Sequence, residues 1–251
     1  MLEPPRLISY GRIYVYKGII IFMKDSRYLQ FQDVLRKNLV SLANIKGHDR
    51  LETRINAVTN WDGYMDILFQ INVTRWFKDK NLNLIKQIEP ALTHREGFGD
   101  ILLTFLKEEI YCEATSLNST RLSKKCDFDN KRVKNKHKKQ PYLTKLEIGH
   151  EIINDRITRI ILDKTKRQLP EDYPGIFAIG TGRAAVFLYD FKSIAKKVFI
   201  NRPNIVSIML WSLERGSDIG EAPFCFRNPN SKYPDIGGDL LKYLDANIIQ
   251  T

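Results

Sequence analysis

The sequence predicts an α/β fold in which a mixed central sheet is flanked by helices and preceded by an N-terminal extension. Three observations predict it. Short apolar runs rich in Ile, Val, Phe and Tyr alternate with longer segments of helical periodicity, in the order helix, three strands, helix, strand, helix, strand. The chain has 251 residues, enough to bury a sizeable core, and is 43% hydrophobic and 27% charged, the balance of a globular protein. A 24-residue helical pattern from Leu146 to Leu169, ended by Pro170, separates the third strand from the fourth, as an α/β core order has it. The expected organisation is an extension over 1–58 and one domain over 59–251.

Within the extension, Arg12–Tyr16 and Ile19–Met23 flank Lys17-Gly18 and predict a hairpin. Phe31, Val34, Leu35, Leu39, Leu42 and Ala43 lie at helical spacing between Leu29 and Ile45, and Leu51–Val58 forms a second short helix. No residue before 59 carries recognisable chemistry, and the extension is assigned to substrate grip or dimerisation. Trp61–Phe77 reads as an amphipathic helix through Tyr64, Ile67, Leu68, Ile71, Val73, Trp76 and Phe77. Leu82–Ile88 is the first strand, and Pro90 stops it.

The stretch from Gly97 to Ser116 predicts a hairpin. Ile101–Phe105 and Ile110–Cys112 are its strands, and Lys107-Glu108 sits between them as the turn. Pairing Phe105 with Ile110 sets Thr104 against Tyr111, Leu102 against Glu113 and Asp100 against Thr115. With side chains alternating, Asp100, Leu102, Thr104, Tyr111, Glu113 and Thr115 share one face. Asp100 and Glu113 then become diagonal neighbours, roughly 7–8 Å apart at Cα. Two carboxylates that close repel unless a cation sits between them, and an all-oxygen site suits Mg²⁺ or Mn²⁺.

Gly99-Asp100, a short apolar run, then Tyr111-Cys112-Glu113-Ala114-Thr115 resembles the core of the PD-(D/E)XK, or restriction-endonuclease-like, nuclease superfamily. The resemblance covers roughly residues 60 to 230 and implies a restriction-endonuclease-like sheet. There an Asp opens the second core strand, a Glu-x-Lys lies on the third, and the helix before the first strand often supplies a further acid. In this chain Thr115 stands where the lysine is usual, and Gln70 stands in the position of the helix acid. Some members place the lysine on a neighbouring helix instead. Ile153, Ile157, Ile160 and Ile161 make one stripe of the 146–169 helix, with Lys164 at its centre, Gln168 on its edge and Lys166 opposite. Lys164 with Gln168 resembles such a migrated pair. The competing readings are that Lys164 lays its stem on apolar surface with its ammonium in water, or that Arg167 is the cation. Gln70 is expected at a structural surface.

The net charge is +11. Ten Lys or Arg against two Asp lie between Arg121 and Lys145, among them Lys124, Lys125, Lys131, Arg132, Lys134, Lys136, Lys138 and Lys139. A mobile solvated loop is one account of such a run. Its position directly after the carboxylate hairpin favours a polyanion partner, a nucleic acid gripped by its backbone. The resemblance makes that partner DNA, with Asp100 and Glu113 holding the metal and Lys164 and Gln168 assisting hydrolysis. The rival is a non-catalytic nucleic-acid-binding protein on the same scaffold, which the neutral Thr115 and Gln70 favour. A homodimer is the simplest way to cut both strands of a duplex.

After Pro170, which ends the long helix, Pro174–Ile179 is a buried strand. Gly180-Thr-Gly182-Arg-Ala-Ala185 matches a dinucleotide-binding glycine pattern, but no Asp or Glu occurs between Asp190 and Glu214, so it is read as a strand-to-helix turn. Val186–Phe199 is helical, Asn204–Trp211 and Pro223–Phe226 are strands, and Leu240–Ile249 is a terminal helix. Cys112, Cys126 and Cys225 have neither zinc nor redox spacing, and His48, His94, His137 and His150 have no ligand spacing. No apolar run reaches the length of a membrane span and no leader pattern opens the chain, so the expected location is cytoplasmic.

Overall fold

The computed structural model describes residues 35, 37–57, 61–90, 99–117, 135–136, 138–139, 145–181, 188–212 and 222–250. It is an α/β fold built on one mixed seven-stranded sheet flanked by helices. The elements are α1 (His48–Ala57), α2 (Trp61–Lys80), β1 (Ile85–Ile88), β2 (Ile101–Phe105), β3 (Glu108–Leu117), α3 (Lys145–Gln168), β4 (Gly175–Thr181), α4 (Leu188–Asn201), β5 (Ile205–Ser212), β6 (Phe224–Arg227), α5 (Pro234–Tyr243) and β7 (Asn247–Gln250). The strands lie side by side in sequence order. β1–β2–β3 is an antiparallel meander, β3–β4–β5 is parallel, β6 is antiparallel to β5, and β7 is parallel to β6. The predicted hairpin at 12–23 lies outside the described residues.

Alternation along the strands sorts the core into two layers. Ile110, Cys112, Ala114, Ile176, Ala178, Val206, Met209, Trp211 and Cys225 face one side, where α2, α5 and the buried Leu35, Leu39, Leu42, Leu51 and Ile55 cover them. Tyr111, Leu117, Phe177, Ile179, Ile205, Ile208, Leu210 and Phe226 face the other, under α3 and α4. Each large apolar side chain buried this way contributes about 1.5–3 kcal/mol of transfer free energy. The right-handed crossover rule accounts for the helix placement: α3 and α4 join strands running one way, whereas β6 and β7 run the opposite way, which sends α5 to the other face.

Several boundaries differ from the sequence expectation. The hairpin pairs Leu103 with Ile110, Leu102 with Tyr111 and Ile101 with Cys112, two residues away from the predicted register. Its turn is Leu106-Lys107, both at positive φ (51° and 71°), the backbone of a two-residue hairpin turn whose twist matches the strands. A shift of two keeps every side chain on its predicted face. The strand expected over 82–88 begins with a 3₁₀ turn at Leu82–Leu84 before β1. Helix α2 is not amphipathic: Ile67 through Thr74 are all buried, because the helix is wedged between the sheet and the 35–55 layer. Its buried polar groups are satisfied, as where Asn38 Nδ2 donates to Asn72 Oδ1 at 2.8 Å and Arg75 Nη1 to Asn38 Oδ1. The expected C-terminal helix at 240–249 is the last turns of α5 followed by strand β7, the break falling at Asp245 (φ 51°).

Candidate active site

Asp100 and Glu113 meet, as the hairpin faces require. β2 begins one residue after Asp100, and Gly99 makes the approach possible. Its φ is +67°, and a Cβ there would stand 3.0 Å from the Cys112 carbonyl oxygen. The chain turns so that the Asp100 N–H donates to that oxygen at 2.8 Å. The Asp100 carboxylate accepts from the Ala114 N–H at 2.8 Å, one residue past Glu113 on β3. With the register corrected, the two acids stand across the hairpin rather than on a diagonal. Both project to the face covered by α3.

Helix α3 delivers the cation. Ile157, Ile161, Thr165 and Leu169 form its buried stripe, and Lys164 flanks that stripe one turn after Ile161. Ile152 and Ile157 are buried, but Ile153 is exposed and Ile160 only partly covered, so the apolar stripe is rotated from the predicted one. Lys164 still points inward, with 19% of its side chain exposed. Its Nζ donates to Thr115 Oγ1 at 2.7 Å and lies 3.4 Å from Glu113 Oε1. The ammonium therefore stands over the strand position where the resemblance places a lysine. Gln168, one turn on, sets its side-chain amide against both oxygens of Glu113, and with the amide nitrogen oriented inward, as hydrogen bonding favours, it lies 2.9 Å from Oε2. Arg167 is exposed and its Nε donates to Asp163 O, so it is no rival.

The electrostatics follow from burial. Glu113 is 2% exposed. Desolvation, then the neighbouring Asp100, pushes its carboxyl well above the usual range, with Lys164 opposing. Asp100 is raised as well, first by burial, against the pull of Arg54. The buried Cys112 thiol, on the opposite face of the sheet, is also pushed up, by burial and then by the two acids, so it is no thiolate ligand.

The acids form the floor of a cavity of about 330 Å³ assembled from six elements: Arg50 and Arg54 of α1, Asp66 and Gln70 of α2, Glu89 and Pro90 after β1, Gly99 and Asp100, Glu113 and Ala114 of β3, and Lys164 and Gln168 of α3. Sequence reasoning missed most of its rim. Gln70, expected at a surface, is 1% exposed, and its Nε2 donates to Glu89 Oε1 at 2.9 Å and to Asp100 O at 3.4 Å. Glu89 sits at φ 50° and its N–H donates to Asp100 O at 2.8 Å. The Arg54 guanidinium binds Glu89, donates to Gln70 Oε1 at 3.2 Å and reaches Asp100 Oδ1 at 3.5 Å. Asp66 accepts from the Ser116 N–H and hydroxyl at 3.0 and 2.8 Å. The available signals were slight: Arg50 and Arg54 at i and i+4, and an acid directly before the Pro90 that closes β1.

Other predicted residues do not line this cavity among the described residues. Lys124, Lys125, Lys131, Arg132 and Lys134 lie outside the described residues, as do Gly182 and His94. Lys138 and Lys139 are exposed, and Lys136 forms an ion pair with Glu151 at 2.5 Å. Tyr111 packs edge-on against Tyr173 at 5.3 Å, a wall of the core. His48 shares a hydrogen bond with Leu39 O at 2.9 Å.

Among the described residues no three His, Cys, Asp or Glu side chains cluster in metal-holding geometry, and none of the helices is long and apolar enough to cross a membrane. Two carboxylates nevertheless fit one kind of ion. Mg²⁺ is commonly held by one or two carboxylates, with waters and substrate phosphate filling the other positions. The two carboxylates offer only hard oxygens, and burial first of all raises their affinity for protons although Arg54 and Lys164 stand beside them. Comparison of the chain with family models, with curated proteins and with solved structures finds no match.

Proposed function

We propose that this protein is a Mg²⁺- or Mn²⁺-dependent nuclease that hydrolyses phosphodiester bonds in DNA, on a scaffold of the restriction-endonuclease-like kind. One observation carries the reading: the Lys164 ammonium touches both Thr115 Oγ1 and Glu113 Oε1, beside Asp100 and at the floor of an open polar cavity. The strand lacks a lysine and the helix supplies one to the same place.

Asp100 and Glu113 would hold the ion, which when bound supplies Lewis acidity to a phosphoryl oxygen and makes water a better nucleophile at neutral pH. Lys164 is placed to orient the attacking water and to stabilise negative charge growing on the phosphate. Thr115 and Gln168 are positioning residues: the hydroxyl fixes the ammonium, and the amide fixes the Glu113 carboxylate. The Ala114 N–H holds Asp100 in its rotamer. Backbone contacts through the basic stretch would set affinity without reading sequence.

A second reading, a non-catalytic nucleic-acid-binding protein, has one observation in its favour. The protein's own donors already occupy both acids, Arg54 on Asp100, and Lys164 with Gln168 on Glu113. Plasmid, linear duplex and single-stranded DNA incubated with the full chain in Mg²⁺ or Mn²⁺ separate the two. Cleavage that disappears in Asp100→Ala and Glu113→Ala supports the nuclease. Undiminished cleavage in those variants refutes the site, and tight binding with no cleavage in either metal selects the second reading.

A further inference from the structure

Helix α1 belongs to the segment for which the sequence offers no chemistry, yet it sets two arginines on the rim of the cavity. Its placement is rigid. Leu51 and Ile55 are fully buried against the core, and the residues before the helix are fastened to β1, where the Ile88 N–H donates to Lys46 O at 2.8 Å. Gly47, at φ +89°, comes so near that a Cβ would overlap the Ile88 carbonyl oxygen at 1.9 Å. Arg50 and Arg54, one turn apart, therefore project from a fixed base along the same side of α1. Arg50 Nη1 donates to Glu89 O at 2.9 Å, and Arg54 Nη1 stands 3.5 Å from Asp100 Oδ1.

We infer that Arg50 and Arg54 clamp the nucleic-acid backbone, binding the phosphates that flank the reacting bond and making the N-terminal segment part of the substrate site. This rests on the reading of the cavity as a phosphodiester site. Three features argue for it. The cavity offers no apolar wall on which a base or a small hydrophobic ligand could lie: Pro90, Gly99 and Ala114 are its least polar members. Its cations stand on two sides of the acid pair, Lys164 from α3 and the arginines from α1, as a bridging phosphodiester requires. The guanidinium is a planar fork suited to phosphate oxygens, and the Arg54 side chain, 43% accessible, keeps part of that fork open to the solvent side of the cavity while it meets Glu89 and Asp100. Arg54 within contact range of Asp100 puts any phosphate it holds directly beside the acid pair.

Fluorescence anisotropy tests the clamp on the full chain in EDTA, with a labelled 20-nucleotide DNA, single-stranded and duplex, between 50 and 200 mM NaCl. Arg50→Ala and Arg54→Ala should each weaken binding roughly fivefold and lower the slope of log affinity against log salt by about 1, as loss of one phosphate contact does. Arg50→Lys and Arg54→Lys should restore the slope, and Lys242→Ala, on α5 away from the cavity, should leave it unchanged. In Mg²⁺ the arginine variants should raise KM more than they lower kcat, whereas Lys164→Met should do the reverse. Unchanged affinity and salt slope in folded Arg50→Ala and Arg54→Ala overturn the clamp and leave the nuclease standing. Arginine-dependent binding with no cleavage in any metal overturns the nuclease and leaves the clamp. A wild-type chain that does not bind the oligonucleotides overturns both.

Discussion

Two cations, Arg202 buried and Lys164 partly covered, sit around the C-terminal half of α3, and they are built differently. Arg202, 7% exposed at the side chain, follows α4 and closes the end of α3: its Nη2 donates to Thr165 O at 3.1 Å and Leu169 O at 2.8 Å, and its Nη1 to Glu171 Oε1 at 2.8 Å. Leu169 O lies past the last turn of the helix and takes its hydrogen bond from the guanidinium, which joins the Leu169 N–H (3.0 Å) at Thr165 O. Burial lowers the Arg202 pKa, and Glu171 partly offsets this. Lys164 meets no helix end. It faces a hydroxyl and a buried carboxyl that burial and a second acid already drive toward protonation. One cation completes hydrogen bonds the fold needs, and the other is held in a place the fold does not need it. Polar atoms gathered against their own electrostatic preference, at an opening, are what the proposed function would require of this place.

The sharpest way to break this contrast is to remove one member of each pair. Lys164→Met and Glu113→Gln should each lower the cleavage rate by about 10³-fold, measured at saturating Mg²⁺, while the melting temperature stays near wild type. Arg202→Met should do the opposite, costing about 2 kcal/mol through the stranded Leu169 carbonyl and lowering the melting temperature by about 6 °C, with the rate per folded molecule unchanged. If Lys164→Met unfolds the protein and Arg202→Met spares it, the roles are exchanged.

A smaller effect comes from pH. Because the folded pKa of Glu113 lies above its unfolded value near 4.5, the folded state binds more protons, and its stability falls as pH rises from about 4.5 through the folded pKa. Metal-free protein should thus lose melting temperature over that range. Mn²⁺ should flatten the decline, and Glu113→Gln should remove most of it. A melting temperature that rises with pH in the metal-free wild type, but not in Glu113→Gln, contradicts the sign.

The acid pair was legible because strand alternation survives an error of register. The register itself was not, since Leu106 bears no mark of a turn residue and adopts left-handed φ under the twist of the strands. The inward Lys164 was legible from helical angles, although the apolar stripe lay partly elsewhere. Helix α5 was hidden by Gly237-Gly238, ordinarily helix-weakening. The space explains them: a Cβ at Gly237 would stand 3.1 Å from Val206 Cβ, and one at Gly238 2.8 Å from Arg227 Nη2. The arginines of α1 and the buried Gln70 could not be read from spacing, because what gathers them is contact between segments 16 to 46 residues apart.

The seven strands stand in the sheet in the order in which the chain is synthesised. Each new strand emerging from a ribosome finds its partner already laid down beside it, and none has to be threaded between two others. The acids on the second and third strands are thus joined by a local hairpin early, whereas the lysine arrives only when α3 is made and docked. A nascent chain of this protein carries the whole carboxylate pair before it has the ammonium, so the cluster of Asp100, Glu113 and Lys164 is complete only after translation passes residue 164.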